Sequence, residues 1–417
     1  MNLPTSQRPL ARRIFKGLAV LALLVVLGTA ALLGAMRVEH GISTTLPAPT
    51  GPFAVARAVY DWTDDKTFDP LAPVPGTKRE LLVWIWYPAA AGPASTPSSA
   101  TYGYLPDAVR MAVERSSGVL FSKFLTRDLS KVHGHSRGNA EVSPQQRSFP
   151  VVMMRAGASA EVWNYSTLAE DLASHGYVVI GFDAPYRTHV VAFPDGRVMQ
   201  RLPQNNPELC EGMTGGDQDR CATRLLSAWT ADMTFVLDHL EQLNTSDASG
   251  RFTGRLDMTR VGVFGHSFGG AAALQFCHDD ARCKAGIDLD GAPHGSVVQS
   301  GVDRPFMILL SDHSGEHDPE GSQVMANLQS IYDHLPPDGR AFLEIRGANH
   351  FLFSDDGALL KSHIVMRMLR LFGVVGIDGR RQLAVTSYCL RSFFDAELSG
   401  GKFGISWSPY PEIRVVE

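Results

Sequence analysis

Ser267 stands in the stretch VGVFGHSFGGAAAL (residues 261–274), flanked at two positions' distance by Gly265 and Gly269. The segment before it alternates like a buried valine-rich strand, and the alanine-rich segment after it favours a helix. A strand-to-helix corner this tight leaves no room for side chains at the two glycine positions, and it lifts the serine hydroxyl clear of the backbone. The N–H groups that open the helix then face the place where an oxyanion would form. The chemistry this spacing serves is attack by a serine on an acyl carbon.

A serine hydroxyl attacks only when a base takes its proton and an acid orients that base. Of the 14 histidines, His350 in IRGANHFLF follows Gly347 at a strand end, from where a loop can return the imidazole to Ser267. His313 and His317 share the charged loop DHSGEHDP and read as a solvated turn rather than a metal site. His266 points away from Ser267 by adjacency, and His133 and His135 in VHGHS have no supporting ligands. Two strand ends offer the acid, Asp290 in AGIDLDGA and Asp312 in MILLSDHS. Asp288 is a weaker third, on the same strand face as Asp290 but deeper. On the residues alone, Asp290 and Asp312 are nearly even. Chemistry of this kind calls for no metal or organic cofactor.

The elements that would hold these groups are strand-like runs: LLVWIWYPA, FPVVMMRAG, GYVVIGFDAP, RVGVFG, AGIDLDGA, RPFMILLSD and RAFLEIRGANH. Helical patterns separate several of them, notably AEDLASHG and SAWTADMTFVLDHLEQL. This alternation predicts a mostly parallel sheet with helices on both faces, whose chemistry lies at the carboxyl ends of the strands. The catalytic domain is expected over residues 81–417, with polar insertions at about 90–147 and 186–226, the second forming part of a cap over the site. Residues 37–80 read as a tether with a possible edge strand in FAVARAVYDWTD. Near the C-terminus RRQLAVTSYCLRSFFDAELSG reads as a closing amphipathic helix.

The chain has 417 residues, 38 Lys and Arg against 43 Asp and Glu, and a net charge of -5. That balance carries no electrostatic footprint for nucleic acid and leaves a small-molecule or lipid substrate. Arg8, Arg12, Arg13 and Lys16 precede the uncharged run GLAVLALLVVLGTAALLGAM (residues 17–36), long enough to span a bilayer core. The basic flank keeps the N-terminus in the cytoplasm and sends the rest across. The one good cleavage candidate, Thr29-Ala30-Ala31, lies inside the run. The favoured reading of residues 1–36 is a single-pass anchor in a bacterial cell membrane, and the alternative is a cleaved signal and a secreted or periplasmic enzyme. Cys210 with Cys221, and Cys277 with Cys283, have spacings that close disulfides in an oxidising compartment, leaving Cys389 over.

Four blocks, FPVVMMRAGASAEVWNYSTLAEDLASHGYVVIGFDAP, GHSFGGAAA, GIDLDGA and IRGANHFLF, in this order and wording, resemble the platelet-activating factor acetylhydrolase group of α/β-hydrolases, its bacterial relatives included. The likeness runs in patches from about Leu81 to Asp395. It implies an α/β-hydrolase fold, preceded here by the apolar N-terminal segment, and it maps the acid onto Asp290 and the base onto His350. It also implies oxyanion N–H groups from Phe268 and Ala158. Where the family commonly reads His-Gly, this chain has Ala156-Gly157 after Arg155. Gly157 preserves the turn, and two questions follow: how the oxyanion loop is braced, and whether Arg155 narrows the pocket or points to solvent. The activity implied is serine-esterase hydrolysis of short-acyl carboxylic esters, phospholipids among them. A general carboxylesterase or polyester hydrolase is the alternative, and a silent hydrolase fold used for binding is the third.

Overall fold

The computed structural model describes residues 8–91, 102–116, 128–211, 213, 216–314, 319–359, 371, 376–401 and 409–416. His317 and parts of both expected insertions lie outside the described residues.

Among the described residues ten strands form one sheet: β1 (Ala54–Phe68), β2 (Lys78–Ala89), β3 (Arg137–Gly138), β4 (Phe149–Arg155), β5 (Val178–Asp183), β6 (Leu256–His266), β7 (Cys283–Leu289), β8 (Phe306–Leu310), β9 (Arg340–Ile345) and β10 (Ile413–Val415). Their spatial order is β10-β9-β8-β7-β6-β4-β5-β2-β1-β3. The six strands from β5 to β9 run parallel, while β2 and β10 close the parallel block antiparallel on its two sides. Every residue of β4 and β5 is buried, as expected for strands covered on both faces.

The crossovers are helical. α2 (Ser166–Ser174) follows β4, α3 (Gly216–Thr245) precedes β6, and α4 (Phe268–Asp279) leaves β6 directly. α5 (Pro319–His334) joins β8 to β9, and α6 (Gly379–Ser399) closes the domain. Side chains of α3, α4 and α5 share one apolar core with Val151, Val263 and Ile308 of the sheet. Those of α2 and α6 share the other with Val152, Phe264 and Leu309, so alternate residues of each strand feed opposite layers.

β1 pairs with β2 from Ala54 opposite Ala89 to Thr63 opposite Glu80. The edge-strand segment is therefore a full partner in the sheet, one strand in from its margin, and the stretch that reads as a tether is correspondingly short. Residues 44–45 pair with 132–134 in a small separate sheet that residues 102–103 complete. α1 (Arg8–His40) contains a segment long and apolar enough to cross a membrane, with mean hydropathy 2.6 over its most apolar window. Disulfides join Cys210 to Cys221 and Cys277 to Cys283, and Cys389 is buried as a free thiol.

Candidate active site

The backbone at Ser267 has φ 55° and ψ −129°, a conformation L-residues rarely adopt, and it sits as the N-cap of α4 where β6 ends. The surrounding glycines show why the corner closes. A Cβ on Gly265 would lie 2.0 Å from the Gly269 carbonyl oxygen, and one on Gly269 would lie 2.4 Å from the carbonyl oxygens of Arg155 and Ala156. Strain at Ser267 is thus held by packing that only glycine permits.

β7 ends one residue before Asp290, itself at φ 58°, and β9 leads through a turn to His350. His350 Nδ1 donates to Asp290 Oδ2 at 2.8 Å. Asp290 is 7% exposed and accepts three further hydrogen bonds: Ser311 N–H to Oδ1 at 2.9 Å, Ser311 O–H to Oδ2 at 2.6 Å, and His313 Nε2 to Oδ1 at 2.7 Å. Burial works to raise its pKa, but the hydrogen bonds from His313 and then His350 outweigh it and hold the carboxyl far below the usual carboxylate range.

The other two aspartates are placed differently. Asp288 is wholly buried, with Oδ1 accepting the Gly291 N–H at 2.9 Å, and burial followed by the charge of Asp290 pushes it well above the usual range. Asp312 accepts the N–H of Gly347 at 2.6 Å and of Ser314 at 3.1 Å. It braces the turn before the histidine instead of meeting the imidazole.

Ser267, Asp290 and His350 line one cavity of about 550 Å3, together with Phe268 and Ala158. Phe268 opens α4, so its N–H is among those a helix leaves without an intrahelical acceptor. Ser267 and His350 share the cavity without a hydrogen bond between them among the described residues, a common state of hydrolase sites before substrate tightens them. The segment expected to cap the site supplies Pro207, Glu208, Cys210, Gln218 and Ala222 to the wall. A second cavity of about 850 Å3 adjoins the first behind Asp290 and His350, lined on its far side by His313, Leu310 and Met325.

These positions correct the readings of two histidines and answer the question left open at Arg155. His313 is not a solvated turn residue but a partner of Asp290. His266 does not point away from the site. It lines the cavity beside Ser267, with its ring centroid 4.6 Å from that of His350. Arg155 neither lines the cavity nor reaches solvent: it is 1% exposed, its guanidinium carbon 3.8 Å from the Trp229 ring centroid and 4.7 Å from that of Phe182. Tyr165 and His294 also line the cavity and carried no signal of their own, since a tyrosine opening a helix and a histidine in a loop are commonplace in sequence.

A ten-stranded sheet of this topology, with a strained serine and a carboxylate-bound histidine at its strand ends, defines the α/β-hydrolase class, and the comparisons place the chain among the carboxylic ester hydrolases. The family described as PET hydrolase-like matches residues 222–376. A probable 1-alkyl-2-acetylglycerophosphocholine esterase of Arthroderma benhamiae is 26% identical over 89% of this chain and 93% of its own. The platelet-activating factor acetylhydrolase of Cavia porcellus is 23% identical over 61% of this chain, a match spanning 60% of its own length. The cutinase est2 of Thermobifida alba is 24% identical over 52% of this chain and 58% of its own. A ferulic acid esterase structure from Streptomyces cinnamoneus superposes with TM-score 0.70 at 26% identity, covering 90% of this chain and all of that one. The chain is a carboxylic ester hydrolase similar to platelet-activating factor acetylhydrolases and cutinases.

Proposed function

We propose that Ser267 is the nucleophile, His350 the general base and Asp290 the acid that orients it, in hydrolysis of short-acyl carboxylic esters. The observation that carries this reading is the 2.8 Å bond from His350 Nδ1 to Asp290 Oδ2 inside the cavity that Ser267 lines. His350 takes the serine proton as Oγ attacks the ester carbonyl. The N–H groups of Phe268 and Ala158 hold the resulting oxyanion, and collapse expels the alcohol with that proton. Water then attacks the acyl-serine by the same route, releasing the acid and restoring Ser267. Asp290 stabilises the imidazolium formed in each half.

Short acyl groups are favoured because four alanines, Ala158, Ala160, Ala222 and Ala292, share the cavity wall with Pro207, Phe268 and Phe351 and, among the described residues, with no large aliphatic side chain. The large apolar residues of the cap segment, Val190, Val191, Phe193 and Leu202, do not line it, and the first three are buried elsewhere. A polyester surface is the second reading, supported by the PET hydrolase-like match and the cutinases. Initial rates on p-nitrophenyl esters from acetyl to palmitoyl, a 2-acetyl phospholipid and a polyester film separate them. Preference for acetyl to butyryl esters is the expected outcome, and faster turnover of palmitoyl esters without detergent effects refutes it.

The domain acts on the extracytoplasmic side, held by α1. The apolar helix and the two disulfides support that location. N-terminal mass spectrometry of fractionated cells tests it: an intact N-terminus in the membrane fraction is expected, and a soluble chain beginning near Leu32 or Met36 contradicts it.

A further inference from the structure

The loop that follows β4 has to hold the Ala158 N–H at a fixed place relative to Ser267. A Cβ on Gly157 would meet Ser267 Cβ at 3.2 Å and His266 Nδ1 at 3.3 Å, so the loop lies against the serine corner. Three hydrogen bonds tie it there. The Gly157 N–H donates to the Tyr165 hydroxyl at 3.3 Å, that hydroxyl is 2.8 Å from His266 Nδ1, and His266 Nε2 is 2.9 Å from the backbone carbonyl oxygen of His350.

The directions of these bonds are fixed by elementary chemistry. A carbonyl oxygen only accepts, so Nε2 of His266 carries a proton and donates to His350. In a neutral imidazole Nδ1 is then the acceptor, and it takes the Tyr165 O–H. The tyrosine oxygen keeps its lone pairs for the Gly157 N–H. Burial, and then the nearby His350, push the His266 pKa down to about 3, which keeps the ring in this neutral form. Tyr165 is 2% exposed and His266 5%, so water competes little for either. The Gly157 N–H is occupied by this bond, and Ala158 presents the next N–H along the loop.

We propose that Tyr165 and neutral His266 form a relay of positioning residues that locks the oxyanion loop to the backbone of the general base, so that both are set by one hydrogen-bonded chain. The inference rests on the assignment of Ser267, His350 and Ala158 above. The relay braces the Gly157 turn from the side of Ser267. The far side of the loop is pinned separately, by Arg201 donating to the Ser159 hydroxyl.

The test uses the full-length protein with p-nitrophenyl acetate and a trifluoromethyl ketone, which adds to the serine and forms a tetrahedral oxyanion. Removing one oxyanion donor outright costs about a hundredfold or more in kcat, so loss of its brace should cost about ten- to fiftyfold. Tyr165→Phe is expected to show that loss with KM within about threefold, and the ketone to bind more weakly by a similar factor. His266→Leu should match it, and the double variant should be no worse than either single one, as members of one relay act together. His266→Gln presents an acceptor and a donor at similar spacing and should recover most of the activity lost in His266→Leu.

Unchanged kcat in Tyr165→Phe overturns the relay, as does a fall in kcat without weaker ketone binding, or a His266→Gln variant as poor as His266→Leu. Ser267→Ala run alongside separates this failure from a deeper one. If Ser267→Ala is inactive and Tyr165→Phe is not, only the relay falls, whereas an active Ser267→Ala removes the assignment beneath it.

Discussion

His350 Nδ1 lies 2.8 Å from Asp290 Oδ2, although the two residues are 60 positions apart in sequence. Asp312, the rival acid, accepts the Gly347 N–H instead. Replacing Asp290 by asparagine leaves the imidazole without a charged partner and in the wrong tautomer, which costs up to about 10⁴ in kcat in the best-studied protease. Asp290→Asn is expected to approach that loss, and Asp312→Asn to stay within about tenfold of the parent. Steady-state kinetics on both, with circular dichroism to show that each is folded, decide the matter. A crippled Asp312 variant beside an active Asp290 variant reverses the assignment.

His313 completes the environment of the same carboxylate through Oδ1 at 2.7 Å. Ser311 still supplies two hydrogen bonds when this imidazole is removed, so one charge-assisted bond is lost, worth about 1.5 kcal/mol or about tenfold in rate. His313→Ala should therefore lower kcat about tenfold and leave KM unchanged. A loss as large as that of Asp290→Asn, or none, contradicts this placing of His313.

Glu161 provides a pH signature of stability. It is 5% exposed, and burial followed by the charge of Asp183 pushes its carboxyl up to about 8. An unfolded glutamate releases its proton near about 4.3, so between there and about pH 8 the folded chain holds a proton that the unfolded chain lacks. The contribution is full below about pH 4 and is lost as the pH rises through about 8. Urea midpoints should fall from about pH 5.5, inside that window, to about pH 9, beyond it, and Glu161→Gln should flatten the decline. Equal slopes in the two proteins would refute the assignment.

The two disulfides should divide their work. Cys210 lines the cavity and its bridge ties residues 208–211 to α3, whereas Cys277 of α4 and Cys283 of β7 are bridged inside the core. Cys210→Ser with Cys221→Ser is expected to raise KM severalfold with kcat nearly kept. Cys277→Ala with Cys283→Ala should leave kinetics intact and cost about 2 kcal/mol, as a short closed loop does. Measured kinetics and urea melts in the opposite pattern would sink this division.

The serine corner was legible because its constraint is local: glycine spacing and a switch of periodicity are enough to place Ser267 between β6 and α4. The acid was ambiguous because Asp290 and Asp312 both end strands, and what separates them is where the loop carrying His350 returns. His313 reads as a solvated turn because charged neighbours dominate its local sequence, while its partner lies 23 positions back. His266 reads as pointing away because it is adjacent to Ser267, but the bend at Ser267 turns both side chains to the cavity and leaves the ring bonded to Tyr165. Residues 37–80 look like a tether because proline and glycine fill the connection between β1 and β2, although the long hairpin itself belongs to the sheet.

The most direct test of the central claim is a rapid-mixing experiment with p-nitrophenyl acetate on the parent chain and Ser267→Ala. Attack by Ser267 predicts a burst of p-nitrophenol approaching one equivalent of enzyme wherever deacylation is the slower step, with an acetyl group trapped on the peptide carrying Ser267 after acid quenching. The burst and the label should both vanish in Ser267→Ala. An acetyl label on another residue, or a burst that survives the substitution, would contradict the account.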